Sequence, residues 1–283
     1  MIKVNGLSFT YPGTDAPTLK ALNFDIKRGE IFGFLGPSGA GKSTTQKIMY
    51  KILHHFEGEV LIDDKPLSKW GKEYYARIGV GFELPNHYLK LTARENMALF
   101  ASFYPKKQIQ DIPQLFEMVG LEADIDKKVE AYSKGMKMRL NFIRALLHNP
   151  EILFFDEPTA GLDPMNAKKI REHIIQLKNQ GKTIFITTHN MYTADELCDR
   201  VSFIVDGALQ ITEPPATLKH NYGRDVVRVD LEDKQSAEFP LQGLGQNPQF
   251  LAFLNQAPLL RINTLEATLE EVFLQVTGKA LKI

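Results

Sequence analysis

The stretch Gly36-Pro37-Ser38-Gly39-Ala40-Gly41-Lys42-Ser43-Thr44 constrains this chain more than any other. It satisfies G-x-x-x-x-G-K-[ST], between the apolar run Ile31-Phe32-Gly33-Phe34-Leu35 and a helix read from Lys42 to about Leu53. Strand, glycine loop and helix in that order form an anion site. The glycines let successive backbone N–H groups turn inward around phosphate oxygens, and the helix N-terminus adds partial positive charge. Lys42 then reaches the β and γ phosphates, and the Ser43 hydroxyl is placed to ligate Mg²⁺. Residue frequencies give roughly one accidental match per hundred chains of this length. A plain glycine-rich turn is the competing reading, and the flanking strand and helix count against it.

Such a site needs a carboxylate at the end of a buried strand, and Ile152-Leu153-Phe154-Phe155-Asp156-Glu157 supplies one. Asp156 leaves its strand at the carboxyl edge, where open α/β sheets bind ligands, and is the candidate Mg²⁺ carboxylate. Glu157 is the candidate general base. Two acids directly after four large apolar residues cost desolvation unless metal or protein donors compensate. His189 ends the next apolar strand, Thr183 to Thr188, and is expected at the same sheet edge, contacting the γ-phosphate or orienting the attacking water. His54-His55 is read as surface and Cys198 as a small apolar packing residue.

Around these motifs the chain reads as α/β. Short strands precede Gly36, and the pair around Gly58-Glu59-Val60-Leu61-Ile62 follows the first helix. The later strands alternate with a helix around 164–179, the rhythm of a parallel sheet with crossover helices. Val201–Val205 and Ala208–Ile211 flank Asp206-Gly207, a strong hairpin signal. From about 84 to 148 the apolar spacing becomes helical, and Thr92-Ala93-Arg94-Glu95 is a capping box, so an inserted helical subdomain is expected. There Leu84, Tyr88, Leu89, Met97, Phe100, Phe103 and Tyr104 are read mostly as core. Pro214-Pro215 marks a boundary, giving a domain 1–213 and a small α+β appendix 214–283, whose last helix opens with the capping box Thr268-Leu269-Glu270-Glu271 and stops at Gly278. Thirty-four Lys+Arg balance 34 Asp+Glu, so no overall charge draws the protein to nucleic acid. No secretory leader and no run of about 18 apolar residues is visible, so a membrane role is expected through a partner.

Taken together, the motifs resemble the ATP-binding subunit of an ABC transporter. Tyr132-Ser133-Lys134-Gly135-Met136, leading into a helix Lys137 to Leu147, stands at the family's signature motif. Ala160-Gly161-Leu162-Asp163 looks like the loop that crosses the dimer, and Tyr11 like the aromatic that stacks on adenine. The likeness spans about 1–213. It implies a P-loop NTPase with a RecA-like parallel core, an N-terminal antiparallel β subdomain and the inserted helical subdomain. The form Tyr-Ser-Lys-Gly-Met and the tail Thr268–Leu274 resemble bacterial ABC-2 type exporters, and Gly81–Tyr88 resembles ATPases assigned to drug export. Three positions depart from the family pattern. Glu83 stands for the usual Gln that contacts Mg²⁺ and the attacking water, and its charge near the γ-phosphate is repulsive unless metal or a proton screens it. Lys134 replaces the first of two glycines, and Met136 replaces a Gln.

The resemblance implies ATP and Mg²⁺ as ligands and a head-to-tail dimer, of this chain or with a paralogous ATPase subunit. Each ATP would lie between Lys42 and Ser43 of one subunit and Ser133, Gly135, Met136 and Asp163 of the other. Closure on ATP and reopening after hydrolysis would drive export through integral membrane permease subunits, with this chain cytoplasmic and peripheral on the membrane's inner face. Some apolar residues near Glu83 would then line a groove for a cytoplasmic permease helix. The alternatives are a soluble ABC-type ATPase acting on ribosomes or DNA, disfavoured by one cassette, no long insertion and neutral charge, and a small-molecule kinase, which leaves Ser133, Asp163 and His189 unexplained.

Overall fold

The computed structural model describes residues 1–223, 226–265 and 267–278. Contacts divide the chain into two compact units, 1–212 and 213–280. The first holds strands β1 (Ile2–Phe9), β2 (Leu19–Ile26), β3 (Ile31–Leu35), β4 (Glu57–Ile62), β5 (Lys65–Pro66), β6 (Ile78–Gly81), β7 (Ile152–Asp156), β8 (Thr183–Thr188), β9 (Arg200–Val205) and β10 (Ala208–Glu213). Its helices are α1 (Lys42–Met49), α2 (Ala93–Ala101), α3 (Ile112–Met118), α4 (Lys134–Leu146), α5 (Pro164–Asn179) and α6 (Met191–Leu197).

Two sheets result, one antiparallel in the order β2-β1-β4-β5, the other in the order β10-β9-β3-β8-β7-β6. In the second, the neighbours from β9 through β6 run parallel, while the Asp206-Gly207 turn, with φ of 50° and 77°, closes β9 onto β10. Positive φ at both central positions is what a two-residue hairpin requires. One apolar cluster joins the sheets: Phe24 of β2 stacks on Phe32 of β3 with ring centroids 5.7 Å apart, and Phe185 of β8 lies 6.1 Å from Phe32. Full burial of each such ring contributes about 1.5–3 kcal/mol. The other face of β3 is equally tight, for a Cβ on Gly33 would lie 2.7 Å from Cys198 Sγ, so the buried cysteine packs as a small apolar group.

Register along the parallel strands builds the functional edge. Leu35 sits beside Thr188, Asp156 beside Thr187, and Gly81 beside Phe155. The residues that follow, Gly36, His189, Glu157 and Phe82-Glu83, therefore leave the sheet at one end.

Local geometry departs from the sequence reading in three places. The two short N-terminal strands are one, β1, which ends before Tyr11. The first helix stops at Met49: Lys51 takes a left-handed φ of 61°, and the N–H groups of Ile52 and Leu53 both return to Lys47 O at 2.8 and 3.0 Å. Helix α4 starts at Lys134, not Lys137, because Ser133 Oγ accepts the Met136 N–H at 3.2 Å and makes the motif itself the first turn.

The second unit contains α7 (Pro215–Tyr222), β11 (Val226–Leu231), β12 (Ser236–Pro240), α8 (Pro248–Leu254), β13 (Leu259–Thr264) and α9 (Leu269–Thr277). Its antiparallel sheet, β12-β11-β13, buries Val227, Val229 and Leu231 against Phe239 and Phe250. The capping box at Thr268 and Glu271 and the left-handed Gly278 bound α9, which packs on α7.

Candidate active site: a phosphate loop beside an acidic strand end

Gly36 and Gly41 explain why the loop tolerates nothing larger. A Cβ on Gly36 would stand 2.1 Å from the Ile204 carbonyl oxygen of β9, a backbone atom that has no room to yield. Gly41 caps α1 at φ 108°, and a Cβ there would also strike Leu19 at 2.6 Å. Between them the Lys42 ammonium, buried to 8% exposure, donates to Gly36 O at 2.6 Å and to Pro37 O at 3.0 Å, so it is folded back along the loop. Burial lowers its pKa, and the charges of Glu157, Asp156 and Glu83 oppose that shift. All three carboxylates thus act on one ammonium. Ser43 lies in the first turn of α1, and Tyr11 reaches the same helix through a 3.2 Å hydrogen bond between its hydroxyl and Thr44 Oγ1. Its ring stands edge-on to Phe9, with centroids 4.9 Å apart.

The Asp156-Glu157 pair is organised by β8. Asp156 Oδ1 accepts the Thr187 hydroxyl, and Gln46 of α1 donates to Phe155 O at 3.1 Å and Thr187 Oγ1 at 3.0 Å, tying the loop helix to the acidic strand. Glu157 Oε2 accepts the Thr188 hydroxyl at 2.8 Å, while Oε1 accepts the His189 N–H at 2.8 Å and meets His189 Nδ1 at 2.5 Å. Three donors offset the desolvation of a carboxylate that is only 7% exposed. Glu157 also holds a left-handed φ of 50°, uncommon for a side chain of this size, fixed by its own N–H to Thr187 O at 2.9 Å. Backbone strain at a residue gripped by neighbouring groups is a mark of functional sites. The sequence reading missed Gln46, Thr187 and Thr188 as positioning residues. The two threonines ending a strand beside His189 were the available signal.

Ser133, Lys134, Gly135, Met136 and Asp163 form a second cluster. A Cβ on Gly135 would sit 3.6 Å from Leu162, and the Lys134 chain lies across Gly161. The Asp163 carboxylate caps α5, accepting Asn166 N at 3.0 Å and Asn166 Nδ2 at 2.5 Å. Among the described residues no hydrogen bond joins this cluster to the phosphate loop of its own chain.

Glu83 lies exposed in the segment after β6, and α4 holds that segment by its backbone. Asn141 donates to Phe82 O at 2.7 Å and Arg144 to Asn86 O at 2.6 Å. Beyond it opens a groove of about 600 Å³ lined by Ile52, Tyr75, Phe82, Tyr88, Phe100 and Arg144, among others. The core-packing expectation for this region fails for most of its residues. Met97 is buried, but Leu84 is 74%, Phe103 69% and Tyr88 56% exposed, and Leu89 is exposed too. Leu84, Tyr88 and Leu89 lie in the segment before α2, and Phe103 lies just beyond its C-terminal end.

The donor set suits Mg²⁺ held together with a nucleotide. Among the described residues no three His, Cys, Asp or Glu side chains gather into a cage that would bind a metal alone. Mg²⁺ instead takes one or two carboxylates plus phosphate oxygens, and Asp156, Ser43 and Glu83 offer that.

A glycine loop on a helix N-terminus, facing an aspartate and a buried glutamate at the ends of adjacent parallel strands, defines a P-loop nucleoside triphosphatase. Residues 19–160 match the family model described as ABC transporter, and the chain belongs to that family. It is 49% identical over 285 residues to a fluoroquinolones export ATP-binding protein of Mycobacterium tuberculosis (strain CDC 1551 / Oshkosh), covering 99% of this chain and 94% of that protein. It is 34% identical to the bacitracin transport ATP-binding protein BcrA of Bacillus licheniformis, covering 91% of each. A solved dimeric post-hydrolysis state of an ATP-binding cassette bound to ADP and Pi superposes with TM-score 0.68 at 29% identity, over 76% of this chain and 98% of that one. The chain is an ATP-binding, ATP-hydrolysing subunit of the exporter type, and no finding favours action on ribosomes or DNA. Among the described residues no helix is long and apolar enough to cross a membrane.

Proposed function

We propose that two copies of this chain, or one copy and a paralogue, close head to tail on two MgATP molecules and drive a separate membrane permease that exports a drug-like compound. The observation that carries the reading is the grip of Thr188 and His189 on Glu157, which holds a buried carboxylate at the strand end next to the phosphate loop. Lys42 would swing from Gly36 O and Pro37 O to the β and γ phosphates, and Tyr11 would stack on the base. Ser43, Asp156 and Glu83 would hold Mg²⁺, which would supply positive charge to neutralise the charge developing on the phosphoryl group. Glu157 orients and deprotonates the attacking water, and His189 steadies Glu157 and faces the γ-phosphoryl oxygens. Ser133, Gly135, Met136 and Asp163 complete the partner's site through the α4 N-terminus. Losing the shared γ-phosphate reopens the interface.

The transmitting element is α4, with the nucleotide-facing motif at its start and Asn141 and Arg144 on the 82–88 segment further along. The exported class follows the name of the 49% identical relative, a fluoroquinolones export ATP-binding protein. Placement on the cytoplasmic face follows from the permease reading. The test is purification of tagged Glu157→Gln protein with ATP from gently solubilised native membranes. A stoichiometric polytopic membrane protein lacking its own ATPase domain is expected, with fluoroquinolone accumulation rising when the gene is deleted. Recovery of ribosomes, DNA complexes or only the soluble dimer would overturn the proposal.

A further inference from the structure

The amide of Gln46 is fully buried, yet only its nitrogen is used. Nε2 donates to Phe155 O at 3.1 Å and to Thr187 Oγ1 at 3.0 Å, while Oε1 has no hydrogen-bond partner. A backbone carbonyl can only accept, so Phe155 O fixes the amide in this orientation and leaves Oε1 unpaired. A buried acceptor without a donor costs stability, and an apolar side chain of the same length would avoid that cost. Packing therefore does not account for a glutamine here. The account lies one bond further on. Thr187 Oγ1, also fully buried, has a single proton and two acceptors in reach: Asp156 Oδ1, which it meets in a short hydrogen bond, and Phe155 O at 3.5 Å. Gln46 spends one N–H on Phe155 O and the other on a lone pair of Thr187 Oγ1, so the hydroxyl proton is left for Asp156 Oδ1. That oxygen is thereby committed to the protein, and Oδ2 is the one left for a ligand.

We propose that Gln46 is a positioning residue for Mg²⁺, which acts through Thr187 to set the Asp156 oxygen offered to the metal and to hold that carboxylate in register with Ser43. The inference rests on the reading of Ser43 and Asp156 as Mg²⁺ ligands and adds the group that aligns them. Gln46 stands one helical turn after Ser43 on α1, so the helix that carries one ligand also orients the other across the sheet edge. With an apolar side chain at this position, Phe155 O would compete for the Thr187 proton. The Asp156 carboxylate would then turn more freely about its Cβ–Cγ bond, a broad torsion that only its partners restrain. Mg²⁺ demands near-ideal octahedral geometry, whereas Ca²⁺ accepts irregular coordination, so loss of this alignment should weaken Mg²⁺ more than Ca²⁺.

The test is equilibrium binding of a fluorescent ATP analogue to the full-length chain, titrated with Mg²⁺, with Ca²⁺ and in EDTA, alongside urea unfolding of each variant. Gln46→Met, close in length but without the amide, should raise the half-saturating Mg²⁺ concentration about tenfold or more, the usual effect of removing a group that orients a metal ligand. The Ca²⁺ curve should move less, affinity in EDTA should stay with the parent, and the urea midpoint should not fall. Thr187→Val should weaken Mg²⁺ likewise, Thr187→Ser should restore it, and adding Gln46→Met to Thr187→Val should weaken it no further. Should Gln46→Met fail to fold, the two Thr187 variants still decide whether the hydroxyl aligns Asp156. An unchanged Mg²⁺ curve, additive effects of the two substitutions, or an equal loss with metal and in EDTA overturns the proposal, the last because Gln46 would then act on the phosphate loop. Asp156→Asn separates this from the metal reading itself. If it abolishes the Mg²⁺-dependent gain while Gln46→Met and Thr187→Val do not reduce it, only the alignment fails; if it keeps the gain, the assignment of Asp156 to the metal fails with it.

Discussion

Replacing Glu157 by Gln separates chemistry from architecture at this site. The amide is isosteric with the carboxylate. With its oxygen in the place of Oε1 it still accepts the His189 N–H, seen at 2.8 Å, and its NH₂ then faces Thr188 Oγ1, also at 2.8 Å. That hydroxyl oxygen already accepts the Asn190 N–H at 3.0 Å but has a second lone pair, so it takes the new donor once its own O–H turns away. What is lost is the charge on three hydrogen bonds, and what is regained is the desolvation cost of a buried anion, so stability should change by no more than about 1 kcal/mol. Removing a general base costs roughly 10²–10⁴ in rate, or about 3–5 kcal/mol of barrier. The kinetic effect therefore exceeds the thermodynamic one several-fold. Single-turnover phosphate release, urea unfolding and titration with a fluorescent ATP analogue read the three quantities on one preparation. Turnover within about threefold of the parent would refute the base assignment. Loss of ATP affinity in parallel with rate would show that Glu157 acts by shaping the loop.

Three further outcomes follow from the geometry. Gly36→Ala forces a methyl to within 2.1 Å of Ile204 O, so it should cost about 1–3 kcal/mol in urea unfolding and abolish nucleotide binding; a stable, ATP-binding variant would refute the close approach. Glu83→Gln removes a negative charge that acts on Lys42, so ATPase activity titrated with Mg²⁺ should shift in half-saturating concentration; superimposable curves would remove Glu83 from the metal site. His87, pushed down to about 4 first by burial and then by the Arg144 charge, binds its proton less readily folded than unfolded. The unfolded chain thus holds more protons between about pH 6.5 and 4, so stability falls as pH drops through that window, by up to about 3 kcal/mol, and is flat above it. His87→Gln should abolish that part of the slope in urea midpoints measured from pH 7 to 4.5.

The parts of this site legible in the sequence are those written locally. The loop from Gly36 to Thr44 carries its own strand, turn and helix, and Asp156-Glu157 after four apolar residues is improbable without donors nearby. His189 followed from strand counting. Thr187, Thr188 and Gln46 were not legible because their roles depend on register: only the parallel pairing of β7 with β8 sets Asp156 beside Thr187, and only the packing of α1 brings Gln46 to Phe155 O. The start of α4 was misplaced because Lys134 and Gly135 look like loop residues until the Ser133 cap is seen. Leu84, Tyr88, Leu89, Met97, Phe100, Phe103 and Tyr104 read mostly as core from sequence because apolar spacing is the same whether the covering partner belongs to the same chain or to another.

That last ambiguity bears on how ATP and a membrane partner can be coupled. The core sheet is packed on both faces of β3, with Phe32 and Phe34 on one side and Cys198 against Gly33 on the other, so it transmits strain without absorbing it. The 82–91 segment differs: its side chains are largely exposed, and its backbone is held by a few hydrogen bonds, among them those of Asn141, Arg144 and the Asn96 amide to Tyr88 O at 3.0 Å. A segment fixed by a few polar bonds and little burial moves as a piece when those bonds move. Two of them issue from α4, a single helix of 13 residues whose first turn is the Ser133 motif. A displacement of the α4 N-terminus by a nucleotide on the partner subunit would therefore reach Phe82 and Asn86 through Asn141 and Arg144 without deforming the sheet. The exposed Tyr88, which lies in that segment and lines the groove, is on the moving side of that linkage, where a membrane partner would feel it.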